Sequence, residues 1–403
     1  MRADRLRTAA AGKRMRRSHT DHTMEKSPGN RIDRITTALF YLGLALEIAA
    51  VVIDKSSVTN PVQSQMFRIS FVLFGIRCLS CVRRYTRREW AVIALALLAA
   101  AACWMCSGRN ELIRFLAFLC AMITVDVRRA AKFTFYATLA GCLVLVVLAL
   151  AGVMGELYLT MDYGSGMETR WVLGLGHPNS LHCMALMLLL LGLWLYERQM
   201  KLYLYALLLV GNLLLYGLTK SNTSFLIGTF ALLLSLLLHY CRRLSNGNWI
   251  YIAGDLLVVA GLVFSFWAAV TDPRKHWQIY QFDLSVLSGR ITSLWETIYH
   301  EGTLATWKWF GSEFNTYYFD MGWDRVVYWY GILPALLLLV LLFALLRRAR
   351  KTSDRASYVM LVSMALYTVL EAHLVSEFIG RNYALFAAAA MLPGLLRDRE
   401  NAV

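Results

Sequence analysis

Apolar residues in this chain come in blocks of about 17–23, the length at which a helix rising 1.5 Å per residue crosses roughly 30 Å of hydrocarbon. Twelve blocks are read as spans: 35–53, 65–82, 90–106, 110–125, 133–155, 179–196, 203–219, 223–240, 249–270, 326–346, 356–372 and 380–396. Backbone polar groups find no water inside a bilayer, so such blocks fold as helices that satisfy their own hydrogen bonds. The expected fold class is all-α, a polytopic transmembrane helical bundle of about 12 spans. It carries one large extracytoplasmic loop with a short amphipathic helix in it. Composition agrees: 58% of the 403 residues are apolar and 17% charged, against roughly 45–50% and about 25% in a soluble domain.

A net charge of +15 suggests nucleic acid in a soluble protein, but here its distribution argues otherwise. With the N-terminus inside, 28 of the 41 lysines and arginines fall in the tails and loops assigned to the cytosol. That bias is the positive-inside rule; it places both termini in the cytosol of a multi-pass cell-membrane protein. No nucleic-acid partner is expected. Residues 1–34 read as a basic cytosolic tail, disordered and able to touch anionic lipid. Residues 35–396 form one integral domain, and 397–403 a cytosolic tail. Two Cys-x-x-Cys pairs, Cys78/Cys81 and Cys103/Cys106, superficially suggest zinc, but topology puts them at opposite faces of the bilayer. They are read as packing residues, and no metal site is expected.

The outer loop at 271–325 is long for a bare connection, and such loops are commonly functional. Ser288 is placed to cap a helix running to Gly302, with Ile291, Leu294, Trp295, Ile298 and Tyr299 on one face and Arg290, Thr297 and Glu301 on the other. The aromatic run that follows, from Trp307 to Trp323, suits an interfacial belt or a platform under lipid-borne sugars.

Chemistry concentrates on the same outer side. In RWVLGLGHPNSL, Gly174 and Gly176 allow a tight turn, and Pro178 opens a helix beside His177. A helix N-terminus attracts anions, and Arg170 adds a bidentate phosphate clamp. The competing reading is a plain start of a membrane helix. Arg290, in Ser288-Gly289-Arg290, is a second cation. Arg68 and Arg77 in the second span and Glu47 in the first lie at membrane depth, where charges usually face an interior cavity. Arg68 is placed near the outer side, and Arg77 is read as able to snorkel inward. Acidic candidates for a general base are Glu296, Glu301, Glu313, Asp320, Asp324 and Glu371, with Asp320 and Asp324 spaced to share a helical face. His373 and Arg381 complete the outer cluster as EAHL and GRNY. No Walker loop, HExxH, GxSxG or dinucleotide fingerprint is present, which argues against nucleotide-sugar chemistry on the cytosolic face.

RWVLGLGHPNSL, LTKSNTSFLIG, LSGRITSLW, FDMGWDRVVYWYGILPA and YTVLEAHLVSEFIGRNY together resemble the O-antigen polymerase/ligase superfamily. The likeness is closest to Gram-positive capsular or exopolysaccharide repeat-unit polymerases, and it covers about 130–390 in order. Where such proteins often read Ser-Arg-Thr, this chain has Ser221-Asn222-Thr223; Lys220 stands nearby as a substitute cation. The resemblance implies a membrane glycosyltransferase joining undecaprenyl-diphosphate-linked repeat units into surface polysaccharide on the outer face, without metal or cofactor. For that chemistry the candidates are Arg170, Arg290 and Arg68 for diphosphate binding and His177, Arg290, Asp320 and Glu371 for catalysis, with His177, Asp320 and Glu371 the alternatives for the base. Asn179, Lys220, His373 and Arg381 would position the reactants. Polysaccharide flipping and chain-length proteins would be its partners. A glycan ligase, or a polysaccharide or lipid transporter, is the alternative.

Overall fold

The computed structural model describes residues 31–162, 166–241, 243 and 247–397. Most of both expected tails, 1–30 and 398–403, lies outside these; Arg31 to Arg34 are already helical, and Arg397 ends the last helix.

The first half of the chain gives α1 (Arg31–Asp54), α2 (Gln63–Ser80), α3 (Arg87–Ser107), α4 (Glu111–Ile123) and α5 (Val127–Leu150). A hairpin of β1 (Tyr158–Asp162) and β2 (Met167–Trp171) interrupts them, pairing antiparallel with Leu159 opposite Arg170. Then come α6 (Pro178–Tyr196), α7 (Leu202–Thr219), α8 (Asn222–Tyr240) and α9 (Trp249–Ala268). The long loop contains α10 (Trp277–Val286) and the single turn α11 (Arg290–Ser293). The chain closes with α12 (Gly322–Tyr330), α13 (Ile332–Thr352), α14 (Arg355–Leu370) and α15 (Ala384–Arg397).

The described residues are all-α apart from that hairpin, and eight helices among them are long and apolar enough to cross a membrane: α1, α3, α5, α6, α7, α8, α9 and α13. The four other expected spans are helices too, but α4, α14 and α15 are shorter than 18 residues, and α2, with Arg68 and Arg77, is not among the eight. Leu207, Val210, Leu213 and Leu214 on α7, like Val144 and Val147 on α5, are exposed, as lipid-facing side chains would be.

Helix α14 is the centre, buried on nearly every face against α6, α8, α9 and α13. Trp194 near the end of α6 donates its indole N–H to Ser357 Oγ in the first turn of α14 at 2.9 Å. Short connections make successive helices antiparallel. Lys55, the hairpin, the α7–α8 turn, the long loop and the 371–383 segment therefore share one end of the bundle. The opposite end carries Arg84, Arg128, Arg198 and the basic 347–355 turn. There Asp33 binds Arg77 and Arg84, both at 2.8 Å, and Glu89 binds Arg397 at 2.9 Å. Arg77 does not snorkel: it is 1% exposed, and Asp33, Thr36 and Thr124 take its guanidinium hydrogens.

The loop departs from the expected 288–302 helix. Ser288 and Gly289 both adopt left-handed backbone, with φ +57° and +75°, which stops helix growth there. What holds the turn is Asp283, fully buried on α10: its carboxylate accepts the backbone N–H groups of Ile291 and Thr292 and the Thr292 hydroxyl at 2.6–2.9 Å. Beyond it the Trp295 indole donates to the Ala268 carbonyl, drawing the chain off a helical path. Ile291 and Leu294 are buried as expected, whereas Ile298 and Tyr299 are exposed. Farther on, the Lys308 and Trp309 carbonyls accept from Ile332 and Leu333, so the loop's own backbone caps α13.

Candidate functional site

One cavity of about 220 Å³ opens at the loop-rich end of the bundle. Lys55 and Arg381 form one wall, His177, Asn179, Ser180 and Cys183 from the start of α6 another, and Asp320, Glu371, His373, Tyr318 and Tyr367 the rest.

The α6 wall is fixed by its two glycines. Gly174 has φ +82°, and a Cβ there would stand 2.5 Å from the Leu145 carbonyl oxygen of α5. At Gly176, with φ +59°, a Cβ would meet the Ser56 carbonyl oxygen at 3.1 Å. The Gly-x-Gly step is thus a close backbone approach that brings His177 against the α1–α2 turn and its Lys55. His177 caps α6 with its side chain: Nδ1 accepts the Asn179 backbone N–H at 3.2 Å. In the neutral ring the remaining proton is then on Nε2, so His177 is a hydrogen-bond donor here and not the free base that the sequence allows. Burial, with the charges of Arg170 and Lys55, keeps the imidazole below its usual range and hence neutral.

Arg290 reaches the opposite wall. Its Nη2 donates to Glu371 Oε1, its Nε lies 3.7 Å from Asp320 Oδ2, and its Nη1 donates to Thr223 Oγ1 at 3.4 Å. Glu371 stands just past the end of α14. Burial raises its carboxyl to about 7; the Arg290 charge opposes the rise and Asp320 adds to it. Arg381 Nη1 and Lys55 Nζ share the Asp54 carboxylate, at 3.5 and 3.0 Å.

Several expected residues are elsewhere. Arg170 does not line the cavity: Glu168, two residues back along β2, accepts from its Nε and Nη2 at 3.0 and 2.8 Å. Its field still reaches His177. Arg68 is exposed on α2, because its neighbours Phe67 and Ser70 take the inward face. Glu47 instead pairs with Arg114, at 3.5 Å, and with Ser70. Lys220 ends α7 in left-handed backbone, exposed and 5.8 Å from the Tyr216 ring centroid, so it does not replace an arginine at the site. Thr223 makes the contact from that turn, and His182, bonded to Thr219 and Asn212 at 3.0 Å each, ties the turn to α6. Asp320 precedes α12 while Asp324 is inside it and fully buried, so the two share no face. Glu296 and Glu313 are exposed, and Glu301 accepts the Tyr328 hydroxyl; none of the three lines the cavity.

Lys55, Ser180, Cys183 and Tyr367 belong to the site without having been singled out from sequence, whereas Tyr318 comes from the aromatic run. Lys55 carried a usable signal: it is a cation just past the first span on the side that the charge bias leaves poor in cations. Among the described residues no cluster of three or more His, Cys, Asp or Glu could hold a metal ion. Comparison with protein-family models, curated proteins and solved structures finds no match to this chain.

Proposed function

We propose that the protein is a membrane glycosyltransferase that polymerises undecaprenyl-diphosphate-linked oligosaccharide repeat units on the outer face of the cytoplasmic membrane. The observation that carries this reading is the meeting of Arg290 with Glu371 beside a cavity flanked by Lys55, Arg381 and His177. Glycosyl transfer to a sugar hydroxyl needs a base on one side of the anomeric carbon and positive charge on the leaving group. The cavity has both. Glu371, raised to about 7, takes the acceptor proton as the new O–C bond forms. The C–O bond to phosphate breaks, and Lys55, Arg381 and the Nε2–H of His177 receive the departing diphosphate. Arg290 holds Glu371 in place, and Asp320 shares its charge. The resemblance of GHPN, SGR and EAHL to repeat-unit polymerases supports the same assignment. So does the basic bias of the opposite end, which by the positive-inside rule turns the cavity outward. Twelve membrane crossings, with α2, α4, α14 and α15 completing the set, fit that orientation.

The test is turnover by the purified protein of an undecaprenyl-diphosphate oligosaccharide, with products resolved by size. A ladder of whole repeat units on lipid is expected. Transfer of intact chains to a non-lipid acceptor would make the protein a ligase, and no bond formation under any acceptor condition would end the glycosyltransferase reading.

A further inference from the structure

The lining of the cavity holds a nucleophile and a base that glycosyl transfer does not use. His373 Nε2 lies 3.1 Å from the Arg381 carbonyl oxygen, which can only accept, so Nε2 carries the ring proton. The Nδ1 lone pair then faces Cys183 Sγ at 3.2 Å and accepts its S–H. Burial and the Arg381 charge keep the imidazole neutral, well below its usual range. A nucleophile, a base and a group that orients the base, each within hydrogen-bond reach of the next, make the arrangement that activates a side chain for attack. Cys183 and His373 both line the 220 Å³ cavity, which gives an incoming molecule room above the sulfur. Lys55 and Arg381 stand on the same wall, paired with Asp54.

We infer that Cys183, with His373 as its base, is a covalent modification site for small soft electrophiles such as α,β-unsaturated carbonyl compounds. The Cys183 sulfur pair forms an S–C bond at the β-carbon, the C=C π pair moves to the α-carbon, and the thiol proton passes through His373 Nδ1 to that carbon. No oxidant or further reactant enters. The adduct occupies the cavity that His177 and Glu371 also line. The site itself stands on its geometry, and only the protection arm below rests on the diphosphate reading.

The experiment treats the full-length protein in detergent with N-ethylmaleimide and reads occupancy at each cysteine by peptide mass spectrometry. Cys106 and Cys241 are exposed and serve as internal rate references. Labelling of Cys183 in the native protein is expected, slowed about tenfold or more in His373→Gln while Cys241 labels at an unchanged rate. Absence of a Cys183 adduct when Cys106 and Cys241 are saturated overturns the inference, and so does an unchanged Cys183 rate in His373→Gln. A variant that folds poorly would betray itself by faster labelling at buried Cys81 and Cys103. Slowing by pyrophosphate supports a diphosphate in the cavity; labelling that ignores pyrophosphate counts against that reading and leaves the modification site standing.

Discussion

Arg290 and Glu371, 81 residues apart in sequence, meet through a hydrogen bond from the guanidinium Nη2 to the carboxylate Oε1. A four-residue helical turn presents the arginine and the end of the central helix α14 presents the glutamate. Arg290→Lys keeps a charge but loses the planar fork that also spans Thr223 and Asp320. Polymer synthesis should fall by about 10²–10³ at normal protein abundance. Wild-type polymer length and rate in membranes carrying Arg290→Ala would reduce the pair to a structural tie.

Glu371 sets an expected pH profile. With its carboxyl raised to about 7, the base form accumulates only as pH rises through that value. Turnover should climb across pH 6–8 (a window about one unit either side), and Glu371→Gln should abolish the climb along with most activity. The stability sign is the reverse: a carboxyl raised by folding favours the fold fully below its unfolded value and loses that contribution as pH rises through about 7. Urea unfolding of native protein and Glu371→Gln at two pH values measures it.

Arg170 and Arg381 separate two versions of the diphosphate site. Arg381 lines the cavity, while Arg170 sits on the hairpin with Glu168. Arg381→Ala should raise the KM for lipid-linked donor about tenfold or more, the loss of one charge-assisted contact worth about 1.5–3 kcal/mol. Arg170→Ala should change it much less. The opposite ranking in steady-state kinetics would move the site to the hairpin.

Asp283 does not line the cavity yet should matter to it. Its buried carboxylate is the cap of the turn that starts at Arg290. Asp283→Ala leaves two backbone N–H groups and a hydroxyl unpaired, at a cost of about 2–3 kcal/mol or more, and should free Arg290 from Glu371. The readouts are thermal unfolding and faster proteolysis within 287–303.

Topology follows from where the cations lie. A cysteine in place of Thr352 should resist membrane-impermeant maleimide in intact cells, and one in place of Thr297 should react. External labelling at 352 would invert the bundle.

Hydropathy made the helices legible because lipid leaves the backbone no alternative, and charge asymmetry marked which ends belong together. The stretch around His177 was legible as well, since proline and two glycines constrain backbone whatever surrounds them. What sequence hid were pairings made across the fold. Arg170 reads as an isolated loop cation until the hairpin sets Glu168 beside it, although Asp162-Tyr163-Gly164-Ser165-Gly166 between two short alternating runs was a usable turn signal. The 288–302 periodicity was real, but a carboxylate on another helix and the Trp295 indole bond overrode it. Cys183 drew no reading from sequence, because nothing local announces a histidine 190 residues away.

The cavity draws its wall from both extremes of the chain: Lys55 follows the first helix, and Glu371, His373 and Arg381 come just before the last. Helices enter the membrane in the order of synthesis, so through most of translation the nascent protein holds Lys55 and His177 with no carboxylate opposite them. Glu371 arrives only when α14 threads the middle of the bundle. A ribosome that stalls anywhere earlier leaves a fragment that lacks Glu371, His373 and Arg381, and with them one side of the cavity.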